Sequence, residues 1–200
     1  KSITAASGVD AFVHALEAFI SVNASPITDA LAEKAMTLIF HSLPHAYRNG
    51  ENLVAREQMA TGSLMAGLAF GNAGVGAVHA LAYPLGGRFH LSHGMSNAVM
   101  LPHVLRANAP FCADKLFAVS LLLKLCPPDS KKDFAITTLL NAVEKLCSDV
   151  GIPRTLREFD IPESVIPQLA EDASKVTRLL RNNPKQLSVD DIENIYRKAY

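Results

Sequence analysis

The feature that most constrains the fold of this 200-residue chain is a long stretch that is almost free of charge. No acidic residue lies between Glu57 and Asp114, and Arg88 and Arg106 are the basic residues there. Residues 114 to 200 carry 13 acidic and 13 basic side chains. Because charged side chains are rarely buried without partners, this pattern predicts a buried middle segment and a solvated C-terminal part.

A membrane interpretation of residues 61–87 has to be weighed, because this segment is uncharged and long enough to span a bilayer. Asn72, His79, Pro84 and seven glycines interrupt it. These residues favour two short helices over one continuous span. We therefore expect no membrane partner.

Apolar residues recur at helical spacing along most of the chain, and no alternating strand pattern stands out. The sequence predicts an all-α fold with many helices, organised as one domain over residues 1–200. Its capping signals are Ser25-Pro26, a stop at Gly86-Gly87, an N-cap at Asp129 and a capping box at 188-SVDD-191. The predicted helices cover about 5–22, 26–44, 51–69, 77–85, 95–107, 110–124, 129–149, a short helix from Pro162, and 192–200.

The amino-acid composition indicates which binding partners and which cellular compartment to expect. Equal numbers of basic and acidic residues, 19 of each, provide no net field for nucleic acid. Three cysteines without metal-knuckle spacing favour buried, reduced thiols and a cytoplasmic location. The first residues do not resemble a signal peptide. The chain begins at Lys1, so we expect it to be a piece of a longer protein; a homo-oligomer stays open.

Histidines and one carboxylate form the candidate site. Asp10 and His14 are four residues apart, which places them on one face of a helix. His79 lies in the uncharged segment, and His93 precedes Gly94, where a backbone bend would aim the imidazole back at His79. If these groups converge, one carboxylate and three imidazoles make a mixed site for a divalent first-row metal.

Each of these residues also has a plainer interpretation. Asp10 and His14 would suit a solvent-facing pair, and a lone buried histidine is usually a hydrogen-bonded core residue. His41 and His45 fit a helix end, His103 fits packing, and His90 stays ambiguous between substrate contact and none. The sequence contains neither a HExxH nor a GxSxG motif.

Three stretches of this sequence resemble the iron-containing alcohol dehydrogenase family. They are 8-GVDAFVHALEAFIS-21, 79-HALAYPLGGRFHLSHGMSNAVMLPHVL-105 and 177-TRLLRNNPKQLSVDDIENIYRKAY-200. The resemblance implies a helical, metal-carrying C-terminal domain whose ligands are Asp10, His14, His79 and His93. It also implies an N-terminal α/β domain, absent from this chain, that supplies the site for NAD or NADP.

The implied cofactor is Fe(II), although the donor set would also accept zinc, nickel or cobalt. The implied chemistry is metal activation of an alcohol or aldehyde oxygen for hydride transfer to the nicotinamide. Phe70 and Val75 are candidate wall residues for a small alcohol or aldehyde, and His90 and Tyr83 are candidate catalytic residues. Tyr83 stands where many members have a histidine near the nicotinamide, which leaves a proton relay there open. Ser92 replaces a common proline.

Two other functions remain open at this stage. One is a non-catalytic helical domain that binds a metal or a partner, since the cofactor half is missing. The other is a relative of glycerol dehydrogenase or dehydroquinate synthase, against which the four-ligand pattern argues. We expect negligible alcohol oxidation by this chain alone, because hydride transfer needs an acceptor held close to the substrate.

Overall fold

The computed structural model describes residues 1–200 and contains no strand. The all-α prediction is confirmed. Three short 3₁₀ segments, at Ala109–Phe111, Leu156–Phe159 and Glu163–Val165, join some of the helices. The ten helices are α1 (Ser2–Ile20), α2 (Pro26–Arg48), α3 (Leu53–Ala73), α4 (Ala77–Phe89), α5 (His93–Asn108), α6 (Ala113–Leu122), α7 (Lys132–Asp149), α8 (Ile166–Ser174), α9 (Thr177–Leu180) and α10 (Val189–Ala199).

Helix α1 lies at the centre of the molecule. It packs against α2 and α3 on one side and against α5 on another. Twelve of its 19 residues are buried, with Phe12 and Leu16 among the largest fully buried side chains. A helix that is apolar nearly all round is stable in water only when other helices surround it. Any charged side chain on its buried faces therefore needs a specific partner.

Two stretches have a composition that would suit a membrane span, residues 61–87 and helix α1. The segment around residues 61–87 is divided between α3 and α4, which are bent by 103° at their junction. Helix α1 is long and apolar enough to cross a membrane, but 72% of its most hydrophobic window is buried inside the fold. The apolar side chains of α1 therefore form part of the buried core.

Several predicted helix ends match the structure. Ser25 caps α2 with Pro26 at the first helical position, and Ser188 and Asp191 form a capping box at α10. Other ends were wrong, among them the end predicted near residue 69, since α3 continues through Gly71 to Ala73. Helix α2 runs through Pro44 to Arg48, and α7 starts at Lys132 after Lys131 rather than after an Asp129 cap.

The predicted stop at Gly86-Gly87 was also wrong. Helix α4 continues through both glycines to Phe89 and ends at His90, which takes the left-handed conformation with φ 56°. The His90 N–H donates to the Gly86 carbonyl at 3.1 Å. Leu85 is buried and Phe89 packs on the core, so tertiary packing of this last turn outweighs the low helix propensity of glycine.

Candidate metal centre

Three helices bring one carboxylate and three imidazoles together. Asp10 and His14 project from α1, His79 from the first turn of α4, and His93 from the start of α5. One ligand atom from each side chain lies within 4.8 Å of the corresponding atoms of the others. His79 Nε2 is 3.0 Å from His14 Nε2 and 3.6 Å from an Asp10 oxygen. His93 Nε2 is 3.7 Å from the other Asp10 oxygen.

Glu17 fixes the ring of His79. Its side chain is 2% exposed, and its carboxylate accepts the His79 Nδ1–H at 2.7 Å and the Val78 backbone N–H at 2.6 Å. With Nδ1 turned to the carboxylate, Nε2 is the ring nitrogen that faces His14 and Asp10. A buried carboxylate behind a histidine is the usual way in which proteins orient a metal-binding imidazole.

Glu17 was missed in the sequence analysis, although a signal was present. It lies three residues after His14 and seven after Asp10, which puts all three on one face of the most apolar helix. An acid at that position has to be paired when the helix is buried.

The environment of His14 keeps its imidazole uncharged. Burial lowers the pKa of His14 to about 4, because its desolvation outweighs the opposing attraction of the Asp10 carboxylate. Its ring stacks on Phe70 with centroids 4.3 Å apart. At neutral pH the ring is therefore held in place with a lone pair available.

Close contact between α5 and α1 sets the position of His93. A Cβ on Gly94 would lie 2.7 Å from the Ala6 carbonyl oxygen, so only glycine permits this approach. The expectation that a loop bend at Gly94 aims His93 was wrong in detail, since His93 is the first residue of α5. Gly94 acts by letting two backbones approach, which brings His93 near Asp10.

Asn97 links Asp10 to α5. Its fully buried amide donates from Nδ2 to an Asp10 oxygen at 2.7 Å, and the same nitrogen is 3.1 Å from His93 Nε2. This bond orients the carboxylate toward the imidazoles. Asn97, which lies one turn after His93, was not predicted from the sequence.

The loop before α4 is held by the C-terminal part of the chain. Gly74 has φ 78°, and a Cβ there would lie 2.4 Å from the Asn182 amide nitrogen. That nitrogen donates to the Val75 carbonyl at 2.9 Å. The side-chain oxygen of Asn183 accepts the Ala77 N–H at 3.3 Å. The side-chain amides of Asn183 and Asn108 pair reciprocally at 2.7 and 2.8 Å. Glu17 and Asn183 thus replace a local cap at the start of α4, two residues before His79.

A cleft of about 520 Å³ opens beside the three imidazoles. Phe70, Val75 and Tyr83 lie on its wall together with His14, His79 and His93. Tyr83 is 43% exposed, and its ring centroid is 6.4 Å from that of His93.

Four other histidines stay apart from this cluster. His90 is exposed at the end of α4 and does not line the cleft. His41 and His45 are exposed on α2, and His103 lies farther along α5 beside Cys147.

Comparison with known proteins identifies the class to which this arrangement belongs. Residues 4–200 match the family model for the C-terminal region of the Fe-containing alcohol dehydrogenase family. The chain belongs to the iron-containing alcohol dehydrogenase family and corresponds to its C-terminal domain.

Individual relatives agree with this assignment. The chain is 46% identical over 198 residues to long-chain-alcohol dehydrogenase 1 of Geobacillus thermodenitrificans, covering 99% of this chain and 50% of that protein. It is 41% identical over 199 residues to 1,3-propanediol dehydrogenase of Klebsiella pneumoniae, covering 100% and 51%. The chain spans about half the length of the curated relatives it matches.

Solved structures show the same fold. A 1,3-propanediol oxidoreductase superposes with a TM-score of 0.96 at 41% identity, and an alcohol dehydrogenase from Oenococcus oeni with 0.95 at 34%. In both cases the match covers 100% of this chain and 52% of the other.

Proposed function

We propose that this chain is the metal-binding catalytic domain of an NAD(P)-linked dehydrogenase that interconverts small alcohols and aldehydes. Residues 1–200 act as one helical unit in this proposal. The observation that carries it is the convergence of four ligand atoms within 4.8 Å from three helices. Membership of the iron-containing alcohol dehydrogenase family supports the same chemistry.

The side chains fit a divalent cation. Three imidazoles and one carboxylate are ordinary ligands for iron and also for zinc. His14 and His79 direct two ring nitrogens at one another at 3.0 Å, an arrangement that a shared cation between them would stabilise. Asp10, His14, His79 and His93 are the proposed ligands, and Fe(II) is the proposed metal by family membership.

When bound, a divalent metal supplies Lewis acidity toward an alcohol or aldehyde oxygen. The chain's own residues determine what reaches that position. Phe70 and Val75 provide apolar wall for a small carbon chain and reduce the water around it. Tyr83 lies on the same wall, and its hydroxyl would be the group to donate a hydrogen bond to the substrate oxygen. His90 is left out because it does not line the cleft.

The open cleft favours a catalytic role over a purely structural metal site. Structural sites are usually closed by protein ligands, whereas catalytic sites keep one position accessible. The His93 side chain is 52% exposed, and the cleft reaches all three imidazoles. A substrate can therefore approach the cluster from solvent.

The nucleotide comes from outside this chain in the proposal. Relatives are about twice as long, and the additional half is the proposed source of the NAD or NADP site. The proposed location is the cytoplasm. All three cysteines are free thiols, which suits a reducing compartment.

Elemental analysis of anaerobically purified protein tests the proposal. We expect about one divalent metal per chain, and loss of retention in His79→Ala and in His93→Ala. His41→Ala is the matched control, because it removes an exposed histidine on α2. Wild-type metal content in either cluster variant, with the control unchanged, would remove the assignment.

A further inference from the structure

Two arginines share the cleft with the histidine cluster. Arg178 lies in α9 and Arg181 directly follows it, and both are exposed on the cleft wall. Neither guanidinium pairs with a carboxylate or donates a side-chain hydrogen bond within the chain. Most other arginines are engaged: Arg88 pairs with Asp172, Arg106 with Glu144, and Arg197 with Glu193.

The cleft has positive side chains and no acidic wall. Its fifteen lining residues include both arginines and three histidines but neither aspartate nor glutamate. Asp10 belongs to the cluster without lining the cleft, and the Glu17 carboxylate is buried against His79 and Val78. A bound divalent metal would add further positive charge. Such a cleft attracts an anion, and the guanidinium group suits phosphate or carboxylate oxygens.

The backbone that carries the arginines is firmly anchored. The Asn182 backbone carbonyl accepts the Val22 N–H at 3.0 Å, and its side-chain oxygen accepts the Asn23 amide at 2.9 Å. Leu179 and Leu180 are buried between the two arginines. The guanidinium groups therefore extend from a fixed segment, which lowers the ordering cost of holding a ligand.

We propose that Arg178 and Arg181 form an anion-binding site for the phosphate or carboxylate group of a molecule that occupies the cleft beside the histidine cluster. This inference rests on the proposed function, since it names a binding determinant of the same cleft. Two sources supply such a group: the phosphates of the dinucleotide, or a carboxylate on the substrate. In either case the arginines place the rest of the molecule relative to the three imidazoles.

Nuclear magnetic resonance titration of the metal-free, ¹⁵N-labelled chain tests the site. Removal of metal with a chelator, followed by dialysis, prevents phosphate from binding through a cation. The probes are inorganic pyrophosphate, ADP-ribose and propanoate, each compared with chloride at matched ionic strength. We expect saturable shifts of the Arg178 and Arg181 side-chain N–H signals. Tighter binding of ADP-ribose indicates the dinucleotide as source, and tighter binding of propanoate indicates the substrate.

Arg178→Gln/Arg181→Gln is the test variant, and binding of the preferred probe should weaken about tenfold or more, the effect expected for loss of charge-assisted hydrogen bonds. Arg56→Gln is the control, because Arg56 is exposed on α3 outside the cleft. Unchanged affinity in the double variant, or shifts that chloride reproduces, would overturn the inference.

Metal content of the same proteins separates this inference from the proposed function. The double variant should retain metal as the wild type does, because neither arginine is a proposed ligand. Arginine-dependent anion binding in a wild type that retains no metal would remove the proposed function and leave the anion site standing.

Discussion

Glu17 and His79, 62 residues apart in the chain, are joined by a buried hydrogen bond of 2.7 Å between a carboxylate oxygen and Nδ1. The same carboxylate receives the Val78 N–H, so one side chain of α1 holds both the ring and the backbone of the α4 first turn. The orientation of His79 toward Asp10 and His14 depends on this pair.

Glu17→Gln should weaken metal affinity by about 10–100-fold, because an amide no longer provides a charged acceptor behind the His79 ring. Competition of the Co(II)- or Zn(II)-loaded protein with a chelator measures the change. Glu57→Gln, at an exposed position of α3, is the control. An affinity within twofold of wild type would show that Glu17 only fills space.

Gly94→Ala should lower the free energy of unfolding by about 1–3 kcal/mol, because the added methyl group forces α5 away from the Ala6 backbone. Metal affinity should fall as well, since His93 moves with α5. Denaturant unfolding and chelator competition measure the two effects. Gly67→Ala is the control: its Cβ meets nothing within 4 Å, and it should gain up to about 1 kcal/mol from helix propensity. Equal stability of the two variants would contradict the close-approach argument.

Asn183→Ala should lower the free energy of unfolding by about 1–3 kcal/mol, because it leaves the buried Asn108 amide without its partner. It also removes the acceptor for the Ala77 N–H at the start of α4. Chemical denaturation measures the loss, with exposed Asn194→Ala on α10 as control. If both variants unfold at the same denaturant concentration, the asparagine pair does not stabilise this junction.

Burial lowers the pKa of His103 in the folded protein, an effect that exceeds the opposing hydrogen bond involving the Arg154 backbone. The unfolded chain therefore binds more protons than the folded chain between the lowered value and about 6.5. The contribution of His103 to stability is complete above that upper limit and is lost as the pH falls through this window.

His103→Gln should consequently flatten the decline in stability on acidification of the metal-free protein. Thermal unfolding between neutral and mildly acidic pH measures it, and exposed His41→Gln is the control. A wild-type slope in the His103 variant would argue against this titration.

Features that depend on neighbouring residues in the sequence were predicted, whereas features that depend on long-range contacts were not. The spacing of Asp10 and His14 on one helix, and the capping residues Ser25 and Ser188, follow from nearest neighbours along the chain. His79 and His93 could be proposed as partners of this pair only on the condition that the chain brings them together, and the family resemblance then implied all four residues as ligands.

The supporting residues depend on contacts that no local pattern encodes. Asn183 reaches Ala77 across 106 residues, and Asn97 matters only because α5 packs on α1. The end of α4 was misplaced for the same reason, since packing of Leu85 and Phe89 carries the helix past two glycines.

The proposed function requires that four side chains of this chain bind one cation. A crystal structure of the Fe(II)- or Zn(II)-loaded chain, with anomalous scattering data collected at the absorption edge of the metal, tests this most directly. The account predicts one strong anomalous peak in contact with a carboxylate oxygen of Asp10 and ring nitrogens of His14, His79 and His93. A fully loaded protein whose peak lies elsewhere, with these four side chains bonded only to one another, would contradict it.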